Sequence, residues 1–159
     1  MAAFRARPLG HVEFPFVFLD ATYLKGRVGG QVVSRAVVVA TGVSMNGDRE
    51  VLGCAVGDSE DEAFWTTFLR SLRERGLTGV RLVISDHHLG LTKAIAAVML
   101  GSAWQRCRVH FMRNILARVP RANAEMVAAA LRTIFAQPDS GAVAEQFDPD
   151  RGHARGPVP

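Results

Sequence analysis

The 159-residue sequence is poor in cysteine, which limits how its fold can be held together. Its two cysteines, Cys54 and Cys107, are too few for the disulfide framework of a small secreted domain, so we expect reduced thiols. No uninterrupted apolar run approaches the ~20 residues that a membrane-spanning helix needs. The start of the chain also lacks the basic and apolar segments of a signal peptide. These absences predict a soluble protein of the cytosol without a membrane partner.

The composition is that of one ordinary globular domain. Hydrophobic residues make up 48% and charged residues 21% of the chain, enough to fill a core and stay soluble. No internal repeat is present. Nineteen Lys and Arg residues against fifteen Asp and Glu residues give a net charge of +4. This balance permits a nucleic-acid partner without requiring one.

Three β-prone segments occupy the first third of the chain. They are FPFVFLDATYL (residues 14–24), QVVSRAVVVATGV (31–43) and REVLGCAVG (49–57). The segment KGRVGG supplies the glycines of a hairpin turn between the first two, and SMNGD is a turn before the third. Short connections of this kind predict an antiparallel three-stranded meander.

A helical period then replaces the strand pattern. Ser59 and Glu62 have the spacing of a capping box, which predicts a helix N-terminus at Ser59. The apolar residues of this helix share one face: Phe64, Trp65, Phe68, Leu69 and Leu72. A buried strand over residues 80–85 ends in Asp86, and the helical segment LTKAIAAVML follows. Ligands of open α/β sheets gather beyond the carboxyl ends of parallel strands, so Asp86 occupies a candidate site position.

The last third of the chain is predicted to be mostly helical. SAWQRCRVHF reads as a fifth strand that leads into a short helix, FMRNILARV, which Pro120 ends. NAEMVAAALRTIFAQP is a further amphipathic helix. From Phe147 onward the chain is rich in Pro, Gly and charge without an apolar face, so we expect a disordered tail.

Asp20 is a lone carboxylate inside the apolar first strand, where burial without a partner would cost several kcal/mol or more. If the first and fourth strands are neighbours, Asp20 and Asp86 can face one cation. Carboxylate oxygens suit Mg²⁺ or Mn²⁺, and a pair of such ions supports phosphoryl transfer. The alternative from spacing alone is that Asp20 caps a turn and Asp86 caps the following helix.

Three sequence motifs resemble those of a known protein family. FLDATYLKGRV, LVISDHHLGL and WQRCRVHFMRNIL resemble, in order and separation, the core blocks of Mutator-type insertion-sequence transposases. The resemblance covers roughly residues 4 to 146 and implies a ribonuclease-H-like catalytic domain. It also implies that Asp20 and Asp86 match the first two acids of an Asp-Asp-Glu metal triad. Cys107 and His110 would match the family's Cys-x-x-His motif.

The departures from the family pattern are equally specific. The final Glu of the triad lies well downstream in the family, after a helical insertion, and neither Glu125 nor Glu145 matches it. The family's N-terminal DNA-binding region is also unmatched. The resemblance therefore implies an incomplete remnant of a transposase.

Several basic residues are candidate contacts to DNA. Five arginines and no acid lie between Arg106 and Arg121, and the alternative to a phosphate-binding role is a solvated face. The candidate DNA contacts are Lys25, Arg27, His88, Arg113, Arg118 and Arg121. Cys107 and His110 also have zinc-like spacing, although Cys54 and His87 or His88 would have to complete such a site. The alternative is a buried thiol beside a hydrogen-bonded histidine.

The expected architecture is an α/β, ribonuclease-H-like sheet in which parallel strands extend the antiparallel meander and helices pack on the sheet. We expect a catalytic core over residues 1–121, the start of a helical insertion over 122–146 and the tail over 147–159. The resemblance implies metal-dependent DNA cleavage and strand transfer with Mg²⁺ or Mn²⁺ in a prokaryotic cytosol or nucleoid. Alternatives are a stand-alone nuclease and an inactive module that binds DNA or full-length transposase. A homo-oligomer is also expected.

Overall fold

The computed structural model describes residues 2–57 and 61–146. The described residues divide into two compact units, the first ending at Cys107 and the second beginning at Arg108. The predicted division into core, insertion and tail stays a prediction, and the expected tail from Phe147 lies outside the described residues. In the described ranges, no helix is long and apolar enough to cross a membrane.

A five-stranded sheet forms the centre of the first unit. The strands in spatial order are β3-β2-β1-β4-β5, with β1 to β3 antiparallel and with β4 and β5 parallel to β1. This arrangement confirms the ribonuclease-H-like fold class. The strand bounds are Phe16–Val28 for β1, Gln31–Val43 for β2, Arg49–Gly57 for β3, Leu82–Ser85 for β4 and Ala103–Arg106 for β5.

The first hairpin is longer than its sequence pattern predicts. Strand β1 runs to Val28 and β2 begins at Gln31, which leaves Gly29 and Gly30 as the whole turn. Both glycines have positive φ, 57° and 83°, as a type I′ turn requires. Most of the segment KGRVGG is therefore strand. Its sequence has no alternation of apolar residues, so it was predicted to be a turn.

Helices cover one face of the sheet. Val17 and Leu19 of β1 are buried, while Phe16 and Phe18 between them are 42% and 40% exposed. The helices of this unit are α1 (Ala2–Ala6), α2 (Glu62–Glu74) and α3 (Leu89–Val98). Trp65, Leu69 and Leu72 of α2 are fully buried in the core. Each fully buried apolar side chain of this size contributes about 1.5–3 kcal/mol of stability, so α2 anchors this face.

The residue that caps α2 differs from the predicted one. The carboxylate of Asp61 accepts a 2.8 Å hydrogen bond from the backbone N–H of Phe64, at the positive end of the helix dipole. Ser59, the predicted cap, lies outside the described residues. The run of acids before the helix offered several possible caps, and spacing alone did not distinguish them.

The second unit is helical. Its elements are α4 (Arg108–Leu116), a 3₁₀ turn (Arg121–Asn123), α5 (Ala124–Phe135) and α6 (Ser140–Gln146). The rings of Phe111 and Phe135 meet edge to face at 6.1 Å, and the Arg108 guanidinium lies 5.0 Å from the Phe135 ring centre. These contacts join α4 to α5. The predicted fifth strand was too long, because residues 108–111 belong to α4.

Candidate functional site

Strands β1 and β4 bring the two conspicuous carboxylates together in the backbone. The parallel register pairs Phe16 with Leu82 at one end and Leu19 with Ser85 at the other. Asp20 directly follows that last pair within β1, and Asp86 directly follows the end of β4. Because neighbouring strands lie about 4.8 Å apart, the backbones of the two aspartates start side by side.

The face that Asp20 occupies follows from strand alternation. Leu19 is buried against the core, whereas Phe18 and Asp20 are exposed on the opposite face. Asp86 follows the buried Ser85 as Asp20 follows the buried Leu19, so the same alternation assigns Asp86 to the face of Asp20. Asp20 is therefore not the buried charge that its apolar surroundings in the sequence suggest.

The carboxylate of Asp86 contacts a backbone N–H and an arginine side chain of the first unit. Its Oδ1 accepts a 2.7 Å hydrogen bond from the backbone N–H of His87 and lies 3.7 Å from Nε of Arg106 on β5. The side chain is 43% exposed. An ion pair this exposed contributes at most about 1 kcal/mol, so Arg106 leaves the carboxylate available to other ligands.

Hydrogen bonds made by Ser85 restrain the backbone of Asp86. Its fully buried hydroxyl donates to the carbonyl oxygen of Asp86 at 2.9 Å and accepts from the indole N–H of Trp104 at 2.8 Å. The Ser85 carbonyl accepts from the backbone N–H of Cys107 at 2.6 Å. The backbone N–H of His88 adds a 3.1 Å bond to the Asp86 carbonyl. These bonds restrict the direction in which Asp86 projects.

Sequence reasoning missed Ser85, Trp104, Arg106 and His87 as parts of this site. The roles of Ser85, Trp104 and Arg106 depend on the pairing of β4 with β5, which brings residues about twenty positions apart into contact, whereas His87 bonds its sequence neighbour Asp86. The only local signal was a polar Ser next to the Asp at the end of an apolar strand.

The capping alternative is wrong for both aspartates. Helix α3 begins at Leu89 with His88 as its N-cap, so Asp86 precedes the cap by two residues. The side chain of His88 makes no capping hydrogen bond within the part of the chain that is described. Asp20 lies inside β1, paired with Val39 of β2, rather than at a turn.

The zinc alternative that used both cysteines is also wrong. Cys54 lies on β3 and Cys107 follows β5, at opposite edges of the sheet. Four strand spacings of about 4.8 Å separate those edges by roughly 19 Å, far beyond Zn–S bonds of about 2.3 Å. Within residues 2–57 and 61–146, no group of three or more His, Cys, Asp or Glu side chains could hold a metal ion. Cys107 is half-buried at the end of the first unit, and His110 belongs to α4 of the second.

The candidate DNA contacts fall into separate regions. Lys25 and Arg27 lie on the outer half of β1. They are an odd number of residues from Asp20, so strand alternation assigns them to the opposite face. Arg35 of β2, which sequence reasoning did not single out, pairs with Leu24 and so shares the parity of Asp20. His88 is exposed at the start of α3. The remaining candidates, Arg113, Arg118 and Arg121, are exposed in the second unit, as are Glu125 and Glu145.

Comparison with known proteins agrees with the motifs. The family described as "Transposase, Mutator family" matches residues 1–154. The transposase for insertion sequence element IS1081 of Mycobacterium tuberculosis is 45% identical over 146 residues, which are 92% of this chain and 35% of that protein. The transposase for IS406 of Burkholderia multivorans is 48% identical over 140 residues, 87% of this chain and 36% of that protein.

The chain thus spans about a third of the length of these curated relatives. A structural match of lower similarity is the HTLV-2 integrase catalytic core domain in complex with magnesium. It has a TM-score of 0.38 and 14% identity over 75% of this chain and 84% of that one. With the family match extending over nearly the whole sequence, the chain belongs to the Mutator family of transposases.

Proposed function

We propose that Asp20 and Asp86 are the first two carboxylates of a metal site for DNA cleavage and strand transfer in transposition. The observation that carries this proposal is the register of β1 with β4, in which both aspartates directly follow the pair Leu19 and Ser85. Two residues 66 positions apart in the sequence thereby start from adjacent backbone positions.

The two side chains suit Mg²⁺ or Mn²⁺. Both are exposed or partly exposed carboxylates, and Mg²⁺ is commonly bound by one or two carboxylates while it keeps several water molecules. Such a site needs open solvent on one side, which a fully buried pair would not provide. When bound, a divalent ion activates water and stabilises the charge on the attacking and leaving oxygens.

The neighbouring residues would position the reacting groups. The hydrogen bonds of Ser85 fix the backbone of Asp86, and Trp104 fixes Ser85 in turn. Arg106 lies beside the Asp86 carboxylate, where its guanidinium can donate to an oxygen of a DNA phosphate. In this proposal DNA is the substrate, cleaved at its ends and then joined through the freed 3′-hydroxyl.

We further propose that the chain alone is an incomplete enzyme. Glu125 and Glu145 lie in the second unit and do not match the family's final Glu, so the third carboxylate would come from outside this sequence. A full-length transposase or a further copy of this chain would be its partner, in the cytosol or nucleoid. The exposed Arg113, Arg118, Arg121 and His88 remain proposed contacts to DNA.

A Mn²⁺ titration tests the metal site directly, because electron paramagnetic resonance counts free Mn²⁺. We expect the 159-residue chain to bind Mn²⁺ weakly, and Asp20→Asn and Asp86→Asn each to weaken binding at least about tenfold. Asp48→Asn is the matched control, since it removes an exposed carboxylate from the turn before β3. Equal Mn²⁺ affinity in the wild-type chain and the Asp20→Asn/Asp86→Asn double variant would eliminate the site.

A further inference from the structure

The outer half of the β1–β2 hairpin extends past the rest of the sheet. Strand β4 pairs with β1 over residues 16–19, and β3 pairs with β2 over residues 36–43. Residues 22–35 therefore form a two-stranded ribbon, with no third strand beside it among the residues that the structure describes. At about 3.3 Å per residue, the seven residues of β1 in this ribbon span roughly 23 Å.

The ribbon is regular along its whole length. Its pairs with no third strand beside them run without a register shift from Leu24 and Arg35 to Val28 and Gln31, and the type I′ turn at Gly29 and Gly30 closes it. This turn type matches the twist of the two strands and keeps them paired up to the tip. This register determines which side chains share a face of the ribbon.

The charge on the ribbon has one sign. Lys25, Arg27 and Arg35 are its charged residues, and the sequence from 21 to 47 contains no Asp or Glu. Lys25 and Arg27 are two residues apart on one strand, so they project from the same side. This side is suited to an anionic partner that is long enough to meet both cations.

Large apolar side chains accompany these cations at the surface. Tyr23 is 53%, Leu24 55% and Val32 62% exposed. Isolated two-stranded hairpins are at best marginally stable in water, so a partner that covers the ribbon would stabilise it. Cations together with exposed rings and methyl groups fit the phosphates and base edges of DNA better than they fit another apolar protein surface.

We propose that the ribbon of residues 22–35 inserts into the major groove of duplex DNA, with Lys25 and Arg27 on the phosphates. This inference rests on the proposed function, in which DNA is the substrate. The major groove is about 12 Å wide and admits a two-stranded ribbon, whereas the minor groove, about 6 Å wide, is too narrow. Lys25 and Arg27 lie at positions whose parity is opposite to that of Asp20, so the ribbon is a DNA-binding element distinct from the metal site.

The test measures affinity of the full 159-residue chain for a 20-base-pair duplex by fluorescence anisotropy, in EDTA and at several salt concentrations. Each phosphate contact contributes about −0.9 to the slope of log K against log salt. The double variant Lys25→Gln/Arg27→Gln is therefore expected to reduce the slope by about two and to weaken binding about 60-fold at 0.1 M salt. Arg70→Gln/Arg81→Gln removes two exposed charges away from the ribbon and should change neither quantity.

Groove insertion has its own readout. Guanine N7 faces the major groove, so the bound wild-type chain should protect it against methylation by dimethyl sulfate. Protection should be lost with Lys25→Gln/Arg27→Gln, whose circular dichroism spectrum and melting temperature should equal those of the wild type. Four results would each overturn the proposal. They are no protection of guanine N7, equal salt slopes for the two double variants, tighter binding to single-stranded than to duplex DNA, and no salt-dependent binding to the duplex. The Mn²⁺ titration contains no DNA, so its failure would remove the metal site without affecting this result.

Discussion

The indole N–H of Trp104 donates a 2.8 Å hydrogen bond to the hydroxyl of Ser85, one residue before Asp86. The donor lies on β5 and the acceptor on β4, so this bond links the edge of the sheet to the strand that presents the carboxylate. The same hydroxyl donates a 2.9 Å hydrogen bond to the Asp86 carbonyl, so the two bonds together restrain the backbone of Asp86. A tryptophan with no proposed contact to metal or DNA thus supports the candidate site.

Replacing Trp104 with Phe should loosen Asp86. The change removes the donor to a fully buried hydroxyl, which should cost about 1–3 kcal/mol of unfolding free energy. We also expect Mn²⁺ affinity to fall about tenfold, the lower range for residues that orient a metal ligand. Urea unfolding and the Mn²⁺ titration measure the two effects separately.

Trp65→Phe is the matched control for that substitution. Trp65 is fully buried in α2, and its indole N–H has no hydrogen-bond partner within the described ranges. The control should lower stability through lost packing while Mn²⁺ affinity stays unchanged. If both variants weakened Mn²⁺ binding equally, the effect of Trp104 would be general destabilisation rather than positioning.

The chain alone should not cleave or join a labelled DNA duplex at an appreciable rate, even with Mn²⁺ supplied. A two-metal mechanism needs ligands that hold an ion on each side of the scissile phosphate, and two aspartates hold the second ion poorly. A nicking assay on supercoiled and linear DNA checks this, beside Asp20→Ala. Metal-dependent nicking that disappears in Asp20→Ala would contradict the remnant proposal and favour a stand-alone nuclease.

Acid should weaken the attachment of the N-terminal segment to β3. Partial burial of Glu50 acts to raise its pKa, but hydrogen bonds from Arg7 and His11, together with their charges, outweigh it and leave the pKa below its ordinary value. A lowered pKa in the folded state means that the stabilisation is present above the unfolded-state pKa and is lost as pH falls through the folded value.

The measurement is the melting temperature of the wild type and of Glu50→Gln between pH 6 and pH 3. The gap between the two curves should be largest at pH 6 and close below the ordinary glutamate pKa of about 4.3. Because Glu50 is partly exposed, we expect a small effect, at most about 1 kcal/mol. A gap that stayed constant with pH would mean that the ion pairs of Glu50 do not contribute.

A substitution at the turn of the ribbon should destabilise the pairing of its two strands without unfolding the rest of the sheet. Gly30 has φ of 83°, so Gly30→Val forces a β-branched residue into a left-handed conformation at a cost of roughly 1–3 kcal/mol. Hydrogen exchange should accelerate at amides of residues 22–35, while those of residues 16–19 keep their protection. Gly29→Asn serves as the comparison, since Asn is accepted at such turns. Equal exchange in both variants would show that the turn does not hold the ribbon.

Hydrophobic periodicity predicted most strands and helices. The features that it did not predict depend on the pairing between strands. The meander, α2 and the strand before Asp86 were predictable because each buries a regular apolar face. The extent of the hairpin was not, since the exposed residues 25–27 gain their strand conformation from pairing across the turn rather than from burial. Ser85, Trp104 and Arg106 meet through β4–β5 pairing, which no local pattern encodes. The two aspartates were identified first by their places in and after apolar strands and then by family motifs, and their common register came from the structure.

The position of β1 between β2 and β4 has a consequence for how the molecule folds. The β1–β2 and β2–β3 pairs join neighbouring segments, whereas the β1–β4 pair joins residues 66 positions apart. Closing that longer loop costs more chain entropy, so we expect the meander to form first and β4 to dock afterwards. During synthesis Asp20 would emerge and enter its hairpin well before Asp86 exists. The pair of aspartates proposed to bind the cation would then form late in folding, when the fourth strand docks.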